Sequence, residues 1–358
     1  MLEPRRAVRN IPAYHPPLGD RVGLRLDFNE NPSGCSPRVL ARFRELSAEQ
    51  LGQYPDRAPV ETVTARCLGV DPGELILTNG VDEAIHLLSE TYLEPDDEVL
   101  IPVPTFSMYA VYAAATGART IFIPTDPDFT FPLAALLSRL TPRVRLITLA
   151  NPNNPTGAVI PPDDLVRVLL TAPQAAVLID EAYFEFCGQT LLPRRREFPN
   201  LFIARTFSKA YGLAGLRIGV LVAAASHMDT IRRVSSPYNV NAAAIACIPE
   251  ALADQDFVRT YVAEVLRGRD LLAAELRAAN ILFWPSGANF LLARFADRTA
   301  AFLAAMKRRG ILLRNRSSDP GCDGCVRITL GSLAHTERLL AALRESLAEI
   351  RPTPEPRR

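Results

Sequence analysis

From about Leu75 to residue 245, short, mainly apolar runs alternate with stretches of helical period. Glu98-Val-Leu-Ile-Pro102, Val144-Arg-Leu-Ile-Thr-Leu-Ala150, Ala176-Val-Leu-Ile-Asp180, Leu201-Phe-Ile-Ala-Arg205 and Gly219-Val-Leu-Val-Ala223 predict strands. Strands that are apolar on both faces suit a mostly parallel sheet covered by helices. Val81, Ile85, Leu88 and Tyr92 recur at helical spacing, and residues 163–170 predict another helix. After residue 245 the pattern changes. A long helix is expected over 257–279. Short strands, expected over 281–284, 289–293, 311–314 and 326–330, then surround a helix that ends at Arg308-Arg-Gly310, with basic residues in its last turn and glycine as the stop. A final helix is expected over 335–350.

The reading is an α/β chain: a large domain with a mostly parallel sheet covered by helices, plus a smaller α+β C-terminal domain. Its parts are an extended Pro- and Arg-rich arm (1–20), a large domain (46–245), a small domain (21–45 with 246–350) and a disordered tail (351–358). A chain of 358 residues is long enough for two such cores.

Composition narrows the chemistry. Forty basic residues against 39 acidic give a net charge of +1, which argues against nucleic-acid or membrane-surface partners. The start, Met1-Leu-Glu-Pro-Arg-Arg, has no apolar run behind its basic residues, so a cytoplasmic protein is expected. The cysteines are scattered and read as free thiols, including the lone Cys322-Asp-Gly-Cys325. Only Lys209 and Lys307 are lysines. Just two side-chain amines can therefore form an imine.

Four stretches follow strands and carry reactive groups. In Thr206-Phe-Ser-Lys209 a strand delivers a lysine among small and hydroxyl residues, and Arg217 comes eight residues later. An imine-forming lysine needs partial desolvation so that its amine can be neutral; a plain surface lysine is the competing reading. Asp180 ends a buried strand, where open α/β sheets place ligands, although a helix N-cap would look the same. Asn151-Pro-Asn-Asn154-Pro-Thr-Gly157 is turn chemistry with an amide to spare. Leu77-Thr-Asn-Gly80-Val81-Asp82 ends a strand and starts a helix, whose free N–H groups make a phosphate cradle. The run Arg194-Arg-Arg196 reads as solvated loop, and Trp284 as packing in the small domain.

In this order and spacing the four stretches resemble the fold-type-I aminotransferases that use pyridoxal 5′-phosphate (PLP). The resemblance is nearest to the histidinol-phosphate aminotransferase group. It is carried further by Leu26-Asp-Phe-Asn-Glu-Asn-Pro32, Gln53-Tyr-Pro-Asp56, Pro104-Thr-Phe-Ser-Met-Tyr109, Ile179-Asp-Glu-Ala-Tyr-Phe-Glu-Phe186, Ser236-Pro-Tyr-Asn-Val-Asn241, Gly310-Ile-Leu-Leu-Arg314 and Val326-Arg-Ile-Thr-Leu-Gly331. It implies that Lys209 carries PLP as an imine and shuttles the proton. Asp180 would pair with the ring nitrogen. Asn154 and Tyr183 would bond the ring oxygen, and Phe106 would pack on the ring. The backbone at Val81 and Asp82, with Thr206, Ser208 and Arg217, would hold the phosphate. Tyr54 would reach that phosphate from the second subunit of a homodimer with shared active sites. Arg327, Arg314 and Tyr14 would hold the substrate.

The resemblance implies transfer of an amino group between histidinol phosphate, or a related amine, and the 2-oxo acid 2-oxoglutarate. Aromatic amino acid transamination and threonine-phosphate decarboxylation are the neighbouring readings. A PLP-binding DNA regulator is disfavoured, because residues 1–20 leave no room for a helix-turn-helix and the charge is balanced.

Overall fold

The computed structural model describes residues 2–9, 11–13, 19 and 21–350. Tyr14 and the 351–358 tail lie outside the described residues.

The large sheet contains β1 (Leu75–Thr78), β2 (Glu98–Val103), β3 (Arg119–Pro124), β4 (Val144–Ala150), β5 (Ala176–Asp180), β6 (Leu201–Thr206) and β7 (Gly219–Val222), in the spatial order β1-β7-β6-β5-β4-β2-β3. Only β7 runs against its neighbours; the rest of the ladder is parallel. β1, β5, β6 and β7 are buried at every residue, as their mainly apolar text leads one to expect. Burying each Leu, Ile or Val side chain is worth roughly 1.5–3 kcal/mol. β3 is an edge strand of mixed exposure. Its pattern is neither fully apolar nor strictly alternating, so the sequence does not announce it.

Helix α1 (Gly80–Tyr92) leaves β1, and α2 (Met108–Thr116) follows β2. Of the predicted apolar stripe of α1, Ile85 and Leu88 are buried and Val81 and Tyr92 are partly buried against the same core, which Ala84 and Leu87 also join. The segment expected over 163–170 is the helix Pro162–Thr171. Beyond it, α3 (Gln255–Ala278) is capped by Asp254, which accepts from the N–H of Phe257. α4 (Leu333–Glu349) packs against α3 and starts with a Ser332–His335 capping box.

A smaller antiparallel sheet is formed by β8 (Leu282–Phe283), β9 (Phe290–Arg294), β10 (Arg314–Asn315) and β11 (Cys325–Thr329), in the order β10-β11-β9-β8. Its core is continuous with that of the large sheet. The run expected as one strand over 311–314 is split. Ile311–Leu312 pairs in parallel with Leu24–Arg25, and Arg314–Asn315 joins the small sheet. That split ties the segment after the arm to the small sheet and turns Arg314 towards Arg327.

Two further expectations are corrected. Residues 6–9 form a helical turn rather than extended chain, and the Arg5 guanidinium bonds the carbonyl of Ala115 at 2.9 Å. The basic run at 194–196 is not simply solvated. It lies on a 3₁₀ turn (Leu192–Glu197), where Arg195 meets Glu74 at 2.6 Å with both side chains about one-tenth exposed. Arg196 reaches Glu74 and Asp71. Two arginines therefore neutralise a mostly buried glutamate ahead of β1.

Candidate active site

The carboxyl ends of β1, β4, β5 and β6 converge on one cavity of about 370 Å³. In open α/β sheets ligands bind at this edge. Among its lining residues are Val81, Asp82, Phe106, Asn154, Asp180, Tyr183, Thr206, Ser208, Lys209 and Arg217. Every cofactor-binding candidate except Tyr54 is therefore brought to this cavity.

Lys209 is delivered by β6. The Thr206 hydroxyl accepts from the Ser208 N–H at 3.1 Å and donates to the Ser208 hydroxyl at 3.0 Å, closing the turn after the strand. Gly212 (φ +71°) seats the loop: a Cβ there would lie 2.1 Å from the carbonyl oxygen of Gly34. Lys209 Nζ donates to the Phe28 carbonyl at 3.0 Å. Burial, helped by the nearby Arg327 charge, lowers the amine to about 8. A useful fraction is neutral near pH 8, which a nucleophilic amine requires.

Asp180, the last residue of β5, is buried. Its Oδ2 accepts from the Tyr109 hydroxyl at 2.6 Å, and its Oδ1 accepts from the Ala182 N–H at 3.0 Å. Burial nevertheless pushes the carboxyl up to about 6. It is poised to gain from a cationic N–H partner inside the cavity.

At the other end, Val81 and Asp82 open α1, where first-turn N–H groups lack intrahelical acceptors. Arg217 Nη2 meets Asp82 Oδ2 at 2.9 Å. A Cβ on Gly80 (φ +76°) would come within 2.8 Å of Arg217 Nη2, so glycine makes room for that guanidinium. Arg217 itself holds φ +52°, a strained value for a side-chain-bearing residue, of a kind that collects at ligand sites.

Tyr183 and Asn154 form the wall beside Lys209. The Tyr183 hydroxyl accepts from Asn29 Nδ2 at 2.8 Å, and Asn29 Oδ1 accepts from the Thr329 hydroxyl at 2.9 Å. Asn154 Oδ1 accepts from Arg327, which leaves its amide nitrogen as donor. Arg327 is buried, and its Nη2 donates to the Asp27 carbonyl at 2.6 Å. Burial lowers this guanidinium to about 10, and its Nε has no partner among the described residues.

A second cavity of about 340 Å³ adjoins the first, sharing Phe28, Phe106, Asn154, Tyr183 and Lys209. Its far wall is Arg314, Arg316, Asp319 and Arg327. Arg314 and Arg327 are direct partners across β10 and β11, so both side chains leave the same face. The Arg314 guanidinium lies 5.2 Å from the Phe28 ring centroid. Tyr54 lines neither cavity. It is 78% exposed and stacks on Tyr238 at 4.2 Å.

Several groups escaped the sequence reading. Tyr109 was seen only as part of a motif. Asn29 sits at φ +55° inside the Asn-Glu-Asn-Pro box, yet its bond to Tyr183 spans 154 residues. Arg316 pairs with Asp319 in the second cavity; two-residue alternation from Arg314 was the available signal. Cys322 and Cys325 are free and buried in an apolar cluster beside Phe129, Leu292 and Trp284. Among the described residues no cluster suits a metal ion, and no helix is long and apolar enough to cross a membrane.

Known proteins agree with this geometry. Residues 21–343 match the family described as aminotransferase class I and II. The chain is 35% identical over 331 residues to a histidinol-phosphate aminotransferase of Caldanaerobacter subterraneus subsp. tengcongensis, covering 90% of this chain and 93% of that one. It is 38% identical over 335 residues to the protein of the same name from Roseobacter denitrificans, covering 91% and 92%. A crystal structure of histidinol-phosphate aminotransferase from Sinorhizobium meliloti, in complex with pyridoxal-5′-phosphate, superposes with a TM-score of 0.84 at 25% identity, covering 97% of this chain and 98% of that one. The structure from Clostridium acetobutylicum gives 0.83 at 23% identity, covering 91% and 100%. With a strand-borne lysine, a buried strand-end aspartate and a helix-start cradle meeting in one cavity, the chain belongs to the aminotransferase class I and II family.

Proposed function

We propose that the chain binds PLP in the larger cavity and transfers an amino group from histidinol phosphate to 2-oxoglutarate. One observation carries the reading: an amine lowered to about 8 shares a cavity with a buried carboxylate at one end and a helix start with an arginine at the other. The donor set fits the cofactor. An anion suits the α1 N-terminus and Arg217. A ring nitrogen suits Asp180, and a ring oxygen suits the Asn154 amide and the Tyr183 hydroxyl.

When bound, PLP supplies an electron sink that makes the donor's α-hydrogen acidic. The remaining work belongs to the chain. Lys209 Nζ would hold the cofactor and, as general base and acid, would move the proton that the donor's α-carbon gives up. Asp180 would face the ring nitrogen as its anionic partner, and Phe106 would pack on the ring face. Arg327 receives the carboxylate of glutamate or the phosphate of histidinol phosphate. Arg314 adds the second guanidinium that a near-dianion can use and a carboxylate does not need. The relatives named above support this substrate.

We further infer that two copies share their sites. Tyr54 lines neither cavity of its own chain and stands exposed, as a group serving a neighbouring subunit would. Mixing Lys209→Ala with Tyr54→Phe chains should then restore activity through one intact site per heterodimer. A fully active monomer in sedimentation would refute the sharing. The substrate reading is tested by offering a panel of amino donors with 2-oxoglutarate and scoring the glutamate formed. Histidinol phosphate should lead; a preference for phenylalanine would move the chain to aromatic transamination.

A further inference from the structure

Asp180 faces a conflict that the function does not resolve by itself. Its role needs a carboxylate, yet burial favours the neutral acid and pushes the group up to about 6. The charged and titratable groups that act on it are few. Asp82 of α1 opposes ionisation, Lys209 favours it, and Tyr183 lies close enough to interact. Direct hydrogen bonds to its oxygens come from Tyr109 and the Ala182 N–H.

Tyr109 is the second residue of α2, and its side chain is 1% exposed. A phenol has one proton to give, and this one goes to Asp180 Oδ2 at 2.6 Å. Burial and the Asp180 charge hold the phenol well above its ordinary range, so it remains a donor at any working pH. The Tyr109 ring also meets Phe106 edge-on at 5.7 Å. Packing and hydrogen bonding are thus separable, because phenylalanine keeps the ring and loses only the hydroxyl.

We propose that Tyr109 is a positioning residue whose hydroxyl keeps Asp180 ionised and thereby keeps the shared proton on the nitrogen of the cofactor ring. This rests on the reading that PLP occupies the cavity. The step is a proton position between two atoms, Asp180 Oδ and the ring nitrogen. A hydrogen bond to the carboxylate stabilises its anion and lowers its affinity for that proton. Without the hydroxyl the proton moves towards oxygen, and the ring becomes a poorer electron sink. Because the Tyr109 hydroxyl bonds Asp180 rather than any reacting carbon, the effect of removing that hydroxyl passes through the carboxylate.

The test loads wild-type and Tyr109→Phe proteins with PLP carrying ¹⁵N in its ring and reads the nitrogen chemical shift. Affinity of each apoprotein for PLP is titrated from pH 6 to 9. Wild type should give the shift of a protonated ring nitrogen, and the variant a shift towards the unprotonated form. The variant should bind PLP on the order of tenfold more weakly near pH 7, with the gap closing as pH rises and Asp180 ionises without help. A second variant carries 3,5-difluorotyrosine at position 109, a stronger donor of nearly the same shape. It should move the acid limb of PLP binding to lower pH, opposite to phenylalanine. Should Tyr109→Phe not fold, the fluorinated protein decides alone. Nitrogen shifts and pH profiles that superimpose on wild type overturn the proposal while leaving PLP binding intact. Wild-type protein that takes up no PLP overturns the parent reading, and this one with it.

Discussion

The two adjoining cavities share a lysine but are built on opposite principles. The larger one is a set of strand ends. β5 delivers Asp180, β6 delivers Lys209, and β1 delivers the start of α1, each within a few residues of a buried strand. Charges of both signs line it, and burial tunes two of them in opposite directions: Asp180 goes up and Lys209 goes down. The smaller cavity is walled by Arg314 and Arg327 of an antiparallel sheet and by Arg316 just beyond β10, against Asp319. Crowding of like charge lowers Arg327 further, with Arg316 and Arg314 acting after burial. One region is arranged for proton chemistry and the other for holding an anion. Substitutions in the first should therefore change rate for every donor, and those in the second should sort donors by charge.

The largest break in that comparison comes from the floor. Asp180→Ala should leave PLP bound while slowing α-proton removal by on the order of 10²–10³ or more, for phosphorylated and unphosphorylated donors alike. Stopped-flow measurement of the first half-reaction reads this. Near-normal turnover would mean that another carboxylate serves the ring nitrogen.

The wall should respond more mildly and selectively. Arg314→Ala removes one charge-assisted contact, worth roughly 1.5–3 kcal/mol, or about 10–100-fold in kcat/KM for histidinol phosphate. For phenylalanine the change should be small. An equal loss on both donors would dissolve the distinction between the two cavities.

The smallest effect sharpens the tuning of Lys209. Its folded amine lies below the ordinary lysine value, so the neutral form appears as pH rises through about 8. Below that pH the protonated amine cannot attack. The rate at which the apoprotein attaches PLP should climb with pH and level off above a midpoint near 8, measured by absorbance. The same shift makes the fold gain stability as pH rises from about 8 towards the unfolded lysine value, since the unfolded chain then binds more protons. A midpoint above 10 would mean that burial does not act on this amine.

The same contrast explains what the sequence made legible. Lys209, Asp180 and Val81 come within a few residues of short apolar runs, and such runs predict buried strands directly. In a chain with two lysines, a lysine behind such a run is conspicuous. The wall hides in a background of arginines, where Arg316 looks like Arg294 or Arg308. Only its place in the second cavity, paired with Asp319, separates it from them. Tyr109 and Asn29 were illegible for a related reason. Their bonds to Asp180 and Tyr183 span 71 and 154 residues, and no local pattern encodes such a partner. The edge strand β3 and the helical turn at 6–9 failed on patterning, because neither buries a continuous apolar face.

The central claim is that Lys209 is the amine that holds the cofactor, and one measurement tests it most directly. Protein saturated with PLP is reduced with borohydride, digested, and mapped by mass spectrometry. The account predicts the pyridoxyl mass on Lys209 alone. Lys307 lies in the last turn of the helix Thr299–Arg308, away from both cavities. A label on Lys307, or none in saturated protein, would contradict the account.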